Sequence, residues 1–286
     1  MSRSVAHAVH SSNRPSNRQS PRRWLGVVAV IAVLGLVATA CSLGNAGVRG
    51  ETLTALDAQE ESFFSNGDEP YVAVIQFRVT PGIAGSTRVH FLGNLSEIAT
   101  HIDDGDSASI PAAMAATSFP NVLTADLGDI LAGRSPEIVG AVTVAMESDA
   151  SPWSAINGIM DDVTNELDAQ LRAQIEPLSF SQILDPATAA DRLAEAARRV
   201  EAAATPSFWR GVGIWFSSFG DPDDVIGFKV LFLVGVTGDL ADTVDAKLAS
   251  GLPAAVVGRA LRPGPLDVDY AGDGATYRIR WNVTTS

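Results

Sequence analysis

Apolar and polar residues alternate most regularly at the C-terminal end of the chain. Asp273-Gly274 is a favoured two-residue hairpin turn. Pairing outward from it sets Tyr270 opposite Tyr277, Val268 opposite Ile279, and Leu266 opposite Trp281. The same register sets Asp269 opposite Arg278 and Asp267 opposite Arg280. One face is apolar and the other is charge-matched, and a one-residue slip would turn the charges inward. Upstream, Tyr71 to Val79 reads as a strand, with Tyr71, Ala73, Ile75, Phe77 and Val79 sharing a face. A turn at Pro81-Gly82 and Gly85-Ser86 leads into a second alternating run, Thr87 to Leu92. Ile138 to Met146, Trp209 to Ser217 and Val225 to Val236 are further strands. The last is apolar almost throughout, as a central strand covered on both sides would be.

Three helices interrupt these strands. Ser151-Pro152 is a cap followed by a first-turn proline. From there Trp153, Ile156, Met160, Val163, Leu167 and Leu171 recur at helical spacing. Asp185-Pro186 opens a second helix, with Leu193, Ala197 and Val200 on its stripe and Pro206 ending it. A third carries Leu240, Val244 and Leu248 and stops near Gly251. Residues 103–118 are rich in Asp, Ser, Ala and Gly and read as a loop. Strands and helices come in blocks. The expected fold is therefore α+β, a mostly antiparallel sheet with helices packed on one face and a C-terminal β-hairpin.

The N-terminus has a different pattern. Arg3, Arg14, Arg18, Arg22 and Arg23 precede an uncharged apolar run of 17 residues, Trp24 to Ala40. The run ends Leu36-Val37-Ala38-Thr39-Ala40-Cys41, and Cys41 is the one cysteine of the chain. A positive front, an apolar middle and small closing residues are the parts of a secretory signal. This stretch resembles a bacterial lipoprotein signal, with Ala38 where that family usually has Leu, Val or Ile. The resemblance implies that Cys41 is acylated and becomes the first mature residue. An uncleaved N-terminal transmembrane anchor and an ordinary secretory signal are the alternatives, and 17 residues is at the short limit for a span. Residues 1–40 are thus assigned to the signal, 41–60 to a tether poor in large apolar groups, and 61–286 to a single α+β domain.

Charge narrows the partners. Without the five leader arginines the chain carries 15 basic and 33 acidic residues. That balance excludes nucleic acid as a partner, because phosphate binding depends on Lys and Arg. It leaves a membrane contact made through a lipid anchor, and it suits cations. With no second cysteine, disulfides and thiolate zinc sites are excluded.

Candidate chemistry is sparse. His90 and His101 are the histidines outside the leader, and both read as surface residues. No nucleophile elbow, dinucleotide fingerprint or phosphate loop is present. Glu147 and Asp149 stand at a strand end, which is either a solvated end or a carboxylate pair for glycoside hydrolysis. Trp209, Trp215, Phe216 and Phe219 are either core residues or a carbohydrate or lipid platform. Asp221, Asp223 and Asp224 crowd one turn, and calcium takes several oxygens from such turns. Asp223-Asp224-Val225-Ile226-Gly227 resembles a run in the calcium-dependent membrane-docking domains first described in protein kinase C. Asp68-Glu69-Pro70-Tyr71-Val72 is similar to their other calcium loop. The resemblance implies calcium as cofactor and Asp68, Asp221, Asp223 and Asp224 as its ligands.

The expected function is a lipid-anchored extracytoplasmic protein without enzymatic activity, serving as a binding or envelope-associated module. The alternatives are a carboxylate-dependent or metal-assisted hydrolase of envelope polymer or glycan, and a calcium-stabilised binding domain.

Overall fold

The computed structural model describes residues 42–58, 68–148, 153–178, 225–252, 254–272 and 274–286, all within one unit of the chain, Cys41–Ser286. Among them, two five-stranded sheets dominate. The first sheet holds β1 (Ser42–Asp57), β4 (Ser107–Ser109), β5 (Ala116–Thr124), β9 (Gly264–Gly272) and β10 (Ala275–Thr285). The second runs in the order β3 (Arg88–Phe91), β2 (Pro70–Val79), β6 (Ile138–Glu147), β7 (Val225–Val234) and β8 (Val256–Ala260). Four helices accompany them: α1 (Ala112–Ala115), α2 (Leu127–Leu131), α3 (Trp153–Gln174) and α4 (Gly238–Gly251). The architecture is sheet-dominated, with two sheets where one was expected.

The C-terminal hairpin forms in the register that its alternation predicts. Tyr277 faces Tyr270, Ile279 faces Val268 and Trp281 faces Leu266. Tyr277, Ile279, Trp281 and Val283 are buried on its inner side. On its outer side Arg278 forks onto Asp269 at 2.7 and 2.9 Å, and Arg280 onto Asp267 at 2.9 and 3.3 Å. Gly274 supplies the positive φ, 84°, that the tight turn needs.

Residues 42–57 correct the expectation of a tether. They form β1, which pairs antiparallel with β10 on one side and with β4 and β5 on the other. Its alternation is broken, which hides it. Ala46 and Val48 point inward, then Leu53 and Ala55 do, because a register shift between Gly50 and Thr52 moves the inward set by one residue. Its inward residues are also small for a reason. A Cβ on Gly50 would lie 3.0 Å from the Ala115 Cβ and 3.3 Å from the Trp281 ring. The indole takes up the volume that a larger β1 side chain would otherwise fill.

Residues 103–118 also depart from the loop that their composition predicts. Only their first part is a turn; β4, α1 and the start of β5 follow. β4 is Ser-Ala-Ser, three small residues held against Thr52–Thr54 of β1 and too short to show a period.

In the second sheet all neighbours are antiparallel except β7 and β8, which are parallel and joined through α4. Tyr71, the first large residue of β2, stacks edge-on against Trp153 of α3 at 5.0 Å. Thr143 of β6 shares a face with Val74, its partner across β2, and its hydroxyl meets the Tyr270 hydroxyl of β9 at 2.7 Å. Both faces of β2 are therefore covered along its first half, and Tyr71 to Ile75 are all buried. The α3 stripe is buried at Ile156, Met160, Val163, Leu167 and Leu171, and the α4 stripe at Leu240, Val244 and Leu248, as their spacing predicts. No helix among the described residues is long and apolar enough to cross a membrane. The helix expected from Asp185 and the strand expected over 209–217 lie outside the described residues.

Candidate functional site

Antiparallel pairing of β2 with β6 sets the first residue of β2, Pro70, opposite the last residue of β6, Glu147. Asp68 and Glu69 precede Pro70, so three carboxylates gather at one end of the second sheet. The Ser148 amide donates to the Glu69 carbonyl at 3.1 Å, and the Asp68 amide to the Ile102 carbonyl at 3.4 Å. Asp68 and Glu147 are 1% and 3% exposed. Glu147 is thus no solvated strand end.

A phenol from the other sheet completes the cluster. Tyr277 belongs to the inward row of β10 and is fully buried. Its hydroxyl donates to Asp68 Oδ2 at 2.6 Å. Burial holds its pKa far above the ordinary value of 10.0. The hydrogen bond to Asp68 adds to this, followed by the negative charges of Asp68, Glu147 and Glu69. Its hydroxyl is therefore held protonated, as the donor to Asp68. A second buried tyrosine makes a similar tie. Tyr270 meets Thr143 and also accepts from the Trp281 indole N–H at 3.2 Å. Burial likewise raises its pKa above 10.0, against the lowering effect of its Thr143 and Trp281 hydrogen bonds. These two phenols are hydrogen-bonded links between the sheets.

The other predicted residues are distributed as follows. Cys41, Asp149, Asp221, Asp223, Asp224 and the aromatics Trp209, Trp215, Phe216 and Phe219 lie outside the described residues. β7 begins at Val225, opposite Met146, at the same sheet end as Asp68 and Glu147. His101 is exposed and meets Asp103 at 3.1 Å. The acids at 103–106 tie a turn to β1: Asp104 accepts from the Ala58 amide at 2.6 Å, and Asp106 from the Asp103 amide at 3.2 Å. Among the described residues no three His, Cys, Asp or Glu side chains are placed to share a metal ion.

The alternation of the hairpin places Tyr277 on the apolar row and does not identify its partner. The available signal was its hydroxyl, since a buried tyrosine requires a polar partner. Comparisons with models of known families, with curated proteins and with solved structures give no match for this chain.

Proposed function

We propose that this protein is a lipid-anchored, extracytoplasmic binding or envelope-associated module without enzymatic activity. The observation that carries the reading is the N-terminal pattern: five arginines, an uncharged apolar run and the cysteine that ends it. Its partner in the membrane is then the bilayer itself, reached through acyl chains on Cys41. The 33 acids against 15 bases of the remaining chain support a body that charge alone does not hold on anionic lipid or nucleic acid. β1 begins at Ser42, so the body under this reading follows its anchor with no spacer. We read the body as an α+β fold whose α3 and α4 cover the face of the second sheet turned from the first. The Tyr71–Trp153 contact and the approach of Leu248 to Gly258 support this.

The test is intact-mass and N-terminal peptide analysis of the protein purified from its native membrane. The expected result is a mature chain starting at Cys41 with a diacylglyceryl adduct on its sulfur. A free thiol at Cys41, or a chain starting at Met1, overturns the reading.

A calcium-stabilised domain is a second reading, favoured by the sheet end that Asp68 shares with Val225, the residue that follows Asp221, Asp223 and Asp224 in the chain. A cation bound by the native state alone raises the melting temperature. Equal melting in excess calcium and in chelator removes this reading.

A further inference from the structure

Between the β3 edge of one sheet and β5 of the other lies a pocket of about 180 Å³. Gln76, Arg78, Arg88 and His90 line it from β2 and β3, and Ser118 and Phe119 from β5. In a chain this acidic, such a concentration of donors stands out. The pairing register explains how it arises. Gln76 faces His90 and Arg78 faces Arg88, so four polar side chains share one face at the sheet edge.

The charges in the pocket are not equivalent. Arg78 is spent: its Nε and Nη2 hold the buried Glu137 at 2.5 and 2.7 Å, and its Nη1 donates to the Pro120 carbonyl at 3.0 Å. Arg88 is exposed and, among the described residues, donates through Nη1 alone, to the carbonyls of Gly85 at 2.7 Å and Thr87 at 2.5 Å. It forms no ion pair with a described carboxylate. Its Nε and Nη2 remain to form the planar fork that matches a carboxylate. Gln76 points the same way chemically. Its Oε1 accepts from the Ser118 amide at 3.4 Å, which leaves its NH2 as the outward donor. The Ser118 hydroxyl and the His90 ring add further donors.

We propose that this pocket binds a small organic carboxylate, with Arg88 pairing the anion, Gln76, His90 and Ser118 donating to its oxygens, and Phe119 contacting its apolar body. The size supports a small ligand. Pockets for drug-sized molecules run from about 300 to 1,000 Å³, well above the volume here. The inference goes beyond the anchor reading and does not depend on it, since no contact it invokes involves Cys41 or an acyl chain.

The test uses the full chain in mild detergent, titrated by calorimetry with benzoate, with its neutral isostere benzamide, and with inorganic phosphate. Benzoate is expected to bind in the millimolar range, and benzamide and phosphate at least about tenfold more weakly. Arg88→Met, which keeps the side-chain stem, is expected to weaken benzoate about tenfold or more. Ser118→Ala, at an exposed position, is expected to weaken it by a smaller factor and guards against a fold defect in the first variant. Benzoate binding unchanged by Arg88→Met, benzamide equal to benzoate, phosphate binding alone, or no binding of any probe each overturns the proposal. None of these outcomes bears on acylation of Cys41.

Discussion

At the scale of single residues, Glu137 and Asp68 show what a buried acid asks of its partners. Glu137 accepts from Arg78 through both oxygens and from the Leu123 amide at 3.2 Å, and its side chain is 4% exposed. Removing the cation strands a charge that burial has already stripped of water. Arg78→Ala is therefore expected to cost about 3 kcal/mol, read as a lower urea midpoint with an unchanged slope. Tyr277→Phe removes one donor from the buried Asp68 and is expected to cost about 1–3 kcal/mol, with the far-ultraviolet spectrum preserved. The Tyr277 position was legible in the sequence, since alternation assigns it to the inward row. Its partner was not legible, because Asp68 lies 209 residues away. Local pattern gives the face of a residue; the end of its hydrogen bond depends on how two sheets meet.

At the scale of elements, legibility followed the strength of the period. The hairpin and the stripes of α3 and α4 each keep one period over many residues, and β6 and β7 are nearly unbroken apolar runs of strand length. β1 was lost because a bulge changes its inward set midway and glycine replaces the side chains that would show a pattern. The links between elements carry the next prediction. Beyond the end of α3, Glu176 clamps the β2–β3 turn, accepting from the Gly85 amide at 3.0 Å and the Thr87 amide at 2.7 Å. Burial pushes its pKa up, but the Thr87 and Gly85 hydrogen bonds and the Arg172 charge outweigh it and hold the carboxyl below its ordinary 4.5. A depressed folded pKa means stability that is present above about 4.5 and lost as pH falls through the lower folded value. Glu176→Gln is expected to flatten the loss of stability on the acid side, measured as urea midpoints at successive pH values. A Glu176 variant with the wild-type acid slope would discount the clamp. Packing between neighbouring strands gives a third case. A Cβ on Gly140 of β6 would sit 2.0 Å from the Leu231 carbonyl oxygen and 2.7 Å from the Phe77 ring. Gly140→Ala is expected to destabilise by more than about 3 kcal/mol, beyond the usual cost of overpacking, because the obstruction is backbone. Thermal melting checks it.

At the scale of the whole molecule, the first sheet joins opposite ends of the described chain. β1 is flanked by β10, and the backbones of Asn45 and Ser286 exchange hydrogen bonds at 2.8 and 2.9 Å. This arrangement was not legible, since no local period reports which strand will neighbour which. The division into two sheets was hidden for the same reason. Each strand showed its apolar face, but the sequence did not show that the faces of the hairpin and of β6 look at each other. Pairing across so much sequence also governs how the chain folds. Contacts between distant segments must meet the entropy of closing a long loop first. Refolding from urea, followed through the buried Trp281, is expected over milliseconds to seconds rather than microseconds. A chain ending before Ala275 is expected to leave β1 without its longest neighbour and to fail to refold. β10 acts as a clasp: it lies between β1 and β9, so the first sheet stays open until that strand is laid in place.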